Sequence, residues 1–516
     1  MLIGFPPICN SKGVGYSSYG LSANLLIKIK FTFNLINSLR LLLDKFNNGN
    51  DNDFHLIHGK SMSIDTNIDF TDYFAISDSQ PFKDRQATMP WRSSQPIAPP
   101  ETPQTWSKLL QQHDDIPARK RLVYIHIPFC ETRCTFCGFY QNKYHPDLAQ
   151  QYVRALMAEI MLEAQRPLYQ RLPIHAVYLG GGTPSALTAH QLADIIATLT
   201  ALLPLAPDCE ITIEGRILSF SDDKIDACLD AGVNRFSLGI QTFDSRIRKR
   251  LARTSTGEQA RHFLEKLVAR DRAAVVCDLL FGLPQQTEQS WQQDLYLADQ
   301  IGLDGVDLYA LNILPNTALA KAITNQRLAV PSATACQNMY LYGSDYLAEL
   351  GWQMISNSHF ARTTRERNLY NLLIKEGAEC FAFGSGAGGA INGYSYMNER
   401  NLERYIAAIE DQQKPLMMMT YSAASAEQWR VSLQSGVEKG RIPLDKIIIN
   451  AQLLQPLLSQ WHQAGLLYTD SSCMRLTNKG RFWSSQILRI LQELLLKVGV
   501  FRAPPTADAL IAMGNA

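Results

Sequence analysis

Six short runs rich in β-branched and aromatic residues recur through the middle of this chain: LVYIHIP (122–128), AVYLGGG (176–182), EITIEG (210–215), RFSLGIQ (235–241), VVCDLLFGLP (275–284) and GVDLYAL (305–311). Between them lie longer stretches such as QQYVRALMAEIMLEA (150–164) and AHQLADIIATLTALL (189–203), whose apolar residues repeat at helical spacing. Strand and helix therefore alternate, which is the pattern of βα units around a parallel sheet. The runs are apolar on both parities, as parallel strands covered on both faces must be. Six units predict an α/β fold, a partial (β/α)6-type barrel.

In such barrels chemistry gathers at the C-terminal ends of the strands. Directly after the first run comes FCETRCTFCGFY (129–140), with Cys130, Cys134 and Cys137 spaced C-x3-C-x2-C. GGGTP (180–184) follows the second run, Glu214 ends the third, Gln241 ends the fourth and Asp278 lies within the fifth. Five consecutive units thus bring unusual polar or glycine residues to one face. Three thiolates can hold three irons of a [4Fe-4S] cluster and leave the fourth iron open, and an open position on a metal is where a substrate can bind. Two plainer readings compete: a structural zinc completed by His126 or His145, and a redox pair of Cys134 and Cys137.

The remaining cysteines, at 9, 209, 228, 277, 336, 380 and 473, have no spacing of a disulfide framework, which fits a reducing cytosol. A formal charge of +1 provides no basic field for nucleic acid. With 516 residues and 46% apolar content, one large catalytic domain with smaller additions is expected. Residues 1–61 are different in kind. Their leucine-rich run LLIKIKFTFNLINSLRLLL lacks the flanks of a signal peptide and is interrupted by Lys28, Lys30, Asn34, Asn37 and Arg40, so no stable membrane anchor is expected. It reads as a non-native or disordered extension brought in by an early start codon, or else as a surface amphipathic helix. The further division runs 62–115, N-terminal segment with the proline-rich linker QPIAPPETPQ; 116–315, barrel; 316–415, a barrel-completing and substrate-covering region; and 416–516, a helical, winged-helix-like appendage without a basic recognition helix.

The cysteine motif resembles that of the radical S-adenosylmethionine (SAM) enzymes. YIHIPFC with CGFY, GGGTPS, RFSLGIQTFD and DLLFGLP is similar, more narrowly, to the oxygen-independent coproporphyrinogen oxidase-like branch over roughly residues 115–490. The stretch FTDYFAISDSQPFKDRQATMPWRSS, with CGFYQNKY, SHFARTTRERNLYN and FGSGAGGAINGYSYMN, resembles most the anaerobic heme-degrading radical SAM methyltransferases of the ChuW/HutW type. Decarboxylases of the branch carry a further cysteine in CGCNK where this chain has CGFYQNK; heme-trafficking relatives are shorter.

The resemblance implies a [4Fe-4S] cluster on Cys130, Cys134 and Cys137, and two SAM molecules. The first would meet Tyr124, Gly181 and Glu214; the second Phe136, Gly182, Thr183, Gln241, Arg253 and Asp278; Ala310 belongs to the same cofactor-binding set. Gln241, Arg253 and Asp278 are the expected catalytic residues. The implied reaction generates a radical from one SAM and a methylene radical on the second, which attacks the porphyrin so that the ring opens, a methyl group is added and iron is freed. Heme would be the substrate, with a flavodoxin or similar low-potential electron donor. A coproporphyrinogen III oxidase and a heme chaperone are the alternatives. His359, in SHFAR, is read either as an axial heme ligand or as a hydrogen-bonded structural histidine.

Overall fold

The computed structural model describes residues 69–85, 94–111, 119–422, 424–444, 451–470 and 472–497. Contact clustering divides the chain between Ser63 and Ile64, and all described residues belong to the second unit. The expectation for residues 1–61 lies outside the described residues.

All six runs form strands: β1 (Arg121–Ile127), β2 (Ile174–Gly181), β3 (Leu205–Gly215), β4 (Arg235–Gln241), β5 (Ala274–Phe281) and β6 (Gly305–Ala310). They pair in parallel in chain order. Val123, Ile125 and Ile127 enter the main core on one face of β1, while Leu122 joins Ala176 and Cys380 in a separate cluster on the other, so the strands are apolar on both parities. The crossover helices are α1 (Pro146–Ala164), α2 (Ala189–Leu202), α3 (Asp222–Asp230), α4 (Gly257–Ala269) and α5 (Glu288–Ile301). Three start in capping boxes, Thr188 with Gln191, Thr256 with Gln259 and Thr287 with Ser290, so the chain after each strand turns into its helix with two orphan N–H groups satisfied.

The sheet continues past the sixth unit, where the sequence pattern fades. Four more strands are β7 (His359–Ala361), β8 (Glu379–Phe383), β9 (Gly388–Ile391) and β10 (Tyr394–Asn398), followed by β11 (Leu416–Tyr421). β8 pairs in parallel with the outer edge of β1, making a seventh parallel strand, and β9 to β11 extend that side antiparallel. β7 closes the other side antiparallel to β6. Among the described residues the sheet has thirteen strands. A short helix, α6 (Leu369–Lys375), packs Tyr370, Leu373 and Ile374 against the inner face of β1 and β2.

The proline-rich stretch is built into the structure rather than spanning between parts. Gln95 and Pro96 pair with Tyr421 and Thr420 at the edge of β11, and the helix Thr102–Gln111 buries Trp106, Leu109 and Leu110. The C-terminal region has helices Ala424–Lys439, Ala451–Gln463 and Ser484–Lys497 around a three-stranded sheet. Phe82 sets its ring edge against Trp461 and Trp483, and the Trp461 indole donates to the Tyr73 carbonyl at 3.0 Å, so residues 69–85 dock there. Among the described residues no helix is long and apolar enough to cross a membrane.

Candidate functional site

The loop after β1 doubles back as Phe129–Cys130 pairs with Asn142–Lys143, which fixes the start and end of the cysteine segment. Cys130 and Cys134 are buried, Cys137 is half-buried, and all three are free thiols. They open onto one cavity lined by the strand ends: Gly181 to Thr183 after β2, Glu214 to Arg216 after β3, Ser237, Gly239 and Gln241 of β4, and Asp278 of β5. Arg253 and Phe136 complete its wall. The structure therefore brings together eleven of the expected residues. Tyr124 and Ala310 stand outside the lining: Tyr124 stacks with Tyr178 lower in the barrel and bonds the His126 ring at 3.1 Å, and Ala310 ends β6 opposite Phe281.

The glycine turn allows close backbone approach. Gly181 has φ of +107°, and a Cβ there would meet the His126 ring at 2.5 Å; one on Gly182 would fall 2.5 Å from the Phe129 carbonyl oxygen. With no side chains in the way, the Gly182 and Thr183 amides bond the Ile127 and Phe129 carbonyls at 2.8 and 2.7 Å, locking the turn under the cysteine loop.

Each cysteine sulfur accepts one hydrogen bond from a different source. The Thr183 hydroxyl donates to Cys130 at 3.4 Å, the Phe139 amide to Cys137 at 3.3 Å, and the Arg216 guanidinium to Cys134. Arg216 is itself fixed by the Thr132 hydroxyl at 2.6 Å. Such donors orient thiolate ligands and tune a cluster's potential. Sequence reading missed Arg216, Ser237 and Gly239. The signal was present, since Ser237 and Gly239 share the inward parity of β4 and Arg216 follows Glu214 by two residues.

Three buried polar atoms around the cavity lack a partner: Gln241 Oε1, Arg253 Nε and His126 Nε2. Gln241 also has φ of +66°, at a register shift in β4. A non-glycine residue in that region costs on the order of 1–3 kcal/mol and is typical of ligand sites. The loop carrying Arg253 is stapled to the end of β4 by Arg248, fully buried, which donates to the Ile240 and Thr242 carbonyls at 2.7 and 3.0 Å and to the Ser255 carbonyl at 2.9 Å.

The site is electrostatically negative at its floor. Burial raises Glu214, whose carboxylate accepts the Tyr178 hydroxyl at 2.5 Å. Burial, then Asp307 and Glu214, push Asp278 up to about 7. Burial lowers His126 to about 4, so that imidazole is neutral.

Soft thiolates with hydrogen bonds at sulfur and an open cavity beyond fit an iron–sulfur cluster. Among the described residues no three His, Cys, Asp or Glu side chains gather as they would around a single metal ion. His145 is exposed at the start of α1 and His126 is engaged with Tyr124, so the zinc reading finds no fourth ligand among the two histidines considered. His359 is not on the open face. It is fully buried, with Nδ1 2.9 Å from Asp307 and Nε2 3.0 Å from Glu366, so the structural reading replaces the axial-ligand reading.

Comparison with known proteins matches the radical SAM superfamily over residues 124–298. The chain is similar to the anaerobilin synthase of Escherichia coli O157:H7, with 59% identity over 434 residues, 84% of this chain and 97% of that protein. It is 28% identical to the heme chaperone HemW of Lactococcus lactis subsp. lactis over 366 residues, 69% of this chain and 93% of that one. Among solved structures, the coproporphyrinogen III oxidase HemN of Escherichia coli, a radical SAM enzyme, superposes with a TM-score of 0.63 at 23% identity, covering 76% of this chain and 94% of that one, which shows a common fold.

Proposed function

The chain belongs to the radical SAM superfamily and, within it, to the family of the anaerobilin synthase it matches, and from this membership we propose that it degrades heme without oxygen. On this reading it opens the porphyrin ring, transfers a SAM-derived methyl group to the product and releases iron. The observation that carries the reading is identity running through 97% of that relative. Identity confined to the barrel would be shared equally with a decarboxylase or a chaperone.

Cys130, Cys134 and Cys137 would hold the [4Fe-4S] cluster, which supplies the electron that makes SAM a radical source. This chain's residues do the rest. Gly181 and Gly182 let a ligand approach the turn, Glu214 and Asp278 face its positive charges, and Gln241 and Arg253 offer unpaired polar atoms to a second SAM. Phe136 and Phe139 put apolar surface beside the cysteines, where a porphyrin face can displace water. The free thiols fit a cytoplasmic setting with a flavodoxin-like donor.

The test is anaerobic incubation with heme, reductant and SAM carrying a labelled methyl group. An open-chain tetrapyrrole that retains the label, with loss of the Soret band and release of iron, is expected. An intact Soret band would favour the chaperone, and coproporphyrinogen losing two carboxyl groups would favour the decarboxylase.

A further inference from the structure

Beneath the cavity, three neighbouring strands place titratable side chains in one row. Gly239 of β4 is opposite Asp278 of β5, Asp278 is opposite Asp307 of β6, and Asp307 is opposite His359 of β7. Residues paired across adjacent strands point to the same face, and the strands lie about 4.8 Å apart, so the two carboxyl groups are immediate neighbours inside the barrel. The row has one end in the cavity, at Asp278, and the other sealed by His359. His359 in turn contacts Glu366, and Glu366 is held by Arg235 at 2.9 Å.

The charges facing Asp278 do not balance. Arg235 is committed to Glu366 and His359 is shared by Asp307 and Glu366. Arg253 on the cavity wall is the remaining cation acting on Asp278. Against these three stand Glu210, Glu214, Asp278, Asp307 and Glu366, which leaves two carboxylates in surplus. Tyr178 and Tyr309 face the same space and are neutral, because burial holds their hydroxyls far above the ordinary range. Ser237 is the one neutral donor on Asp278, at 3.5 Å. Asp307 Oδ1 is buried with no partner. A proton held between the two aspartates would satisfy that oxygen and remove one surplus charge, since adjacent buried carboxylates cannot both ionise cheaply.

We propose that the Asp278–Asp307 pair, braced by His359, is a proton-holding device of this pocket: it carries one proton while the pocket is empty and releases it to solvent when a ligand bearing sulfonium and ammonium charges enters. The bond broken is a carboxyl O–H, the proton leaves through the cavity mouth, and the new carboxylate pairs with the incoming cation. The inference rests on the SAM reading above. It makes Asp307 and His359 positioning residues, acting on the ligand through Asp278.

Calorimetric titration of SAM into the anaerobic, cluster-loaded full chain, in two buffers of different ionisation enthalpy, counts the protons exchanged. The decisive quantity is the difference between pH 6.5 and pH 8.5, because SAM's own amino group contributes equally at both. Release is expected to be larger at pH 6.5 by roughly half a proton or more per protein, the size a single group titrating near neutrality gives. Asp307→Asn should bind SAM with that difference abolished. His359→Gln, which removes a nearby cation, should move the release profile to higher pH. Binding with the same proton count at both pH values in the wild type, or an unchanged profile in a folded Asp307→Asn protein, overturns the proposal. Absence of SAM binding altogether would instead remove the SAM reading of the pocket, and this inference with it.

Discussion

Cys130, Cys134 and Cys137 sit on one loop, yet the donors to their sulfurs come from the β2 turn, the β3 end and the loop itself. Cluster assembly and ligand positioning therefore rest on different residues. Cys134→Ala is expected to lose the cluster, read as iron content and visible absorbance, and all SAM cleavage with it, because two thiolates hold a four-iron cluster poorly. Unchanged iron in that variant would overturn the ligand assignment. Arg253→Ala should keep its iron and some uncoupled formation of 5′-deoxyadenosine while product falls about a hundredfold, the usual cost of misplacing a reacting group by about 1 Å. Equal loss of both products would place Arg253 in cluster assembly instead.

At the scale of elements, the cavity depends on where strands stop and how the next segment is tied down. The end of β4 is irregular, with Gln241 at positive φ after a register shift, and Arg248 holds the following loop by three carbonyl contacts. Arg248→Met retains the aliphatic stem and removes those donors. Each is worth about 1.5–3 kcal/mol when charged and buried. SAM affinity, measured by equilibrium binding, is expected to drop tenfold or more while cluster content stays; unaltered affinity would mean the loop holds itself.

Across the whole molecule, the strands after residue 375 are joined to the barrel by buried charge. Arg121 of β1 pairs with Glu379 of β8 at 2.9 Å. Glu159 of α1 accepts Lys414 at 2.6 Å, Tyr405 at 2.5 Å, the Gly384 amide at 2.8 Å and the Asn398 amide group at 3.0 Å. Lys414 also lies over the Phe383, Tyr396 and Trp106 rings, which draws the N-terminal helix into the same junction. Glu159→Leu would leave Lys414 buried and unpaired, so a loss of about 3–5 kcal/mol in denaturant unfolding is expected. A change under about 1 kcal/mol would show that this junction does not limit stability.

Periodicity alone was enough for the six βα units, because a parallel strand covered on both faces must be apolar on both parities, and the 3.6-residue repeat of each crossover helix is equally local. The same local logic put Cys130, Cys134, Cys137, Gly181, Glu214, Gln241 and Asp278 at strand ends, and those residues do line one cavity. β8 escaped notice: it is only five residues long and fully buried, its pairing partner lies more than 250 residues earlier, and the glycine-rich hairpin after it resembles loop. His359 shows the limit most clearly. A histidine beside a polar loop has no local mark of burial, and only the antiparallel pairing of β7 with β6 sets its ring between Asp307 and Glu366. Arg216 on Cys134 and Glu159 on Lys414 are of the same kind. Which charged groups meet inside the barrel is decided by strand register and crossover packing, long-range quantities that leave no periodic trace in the chain.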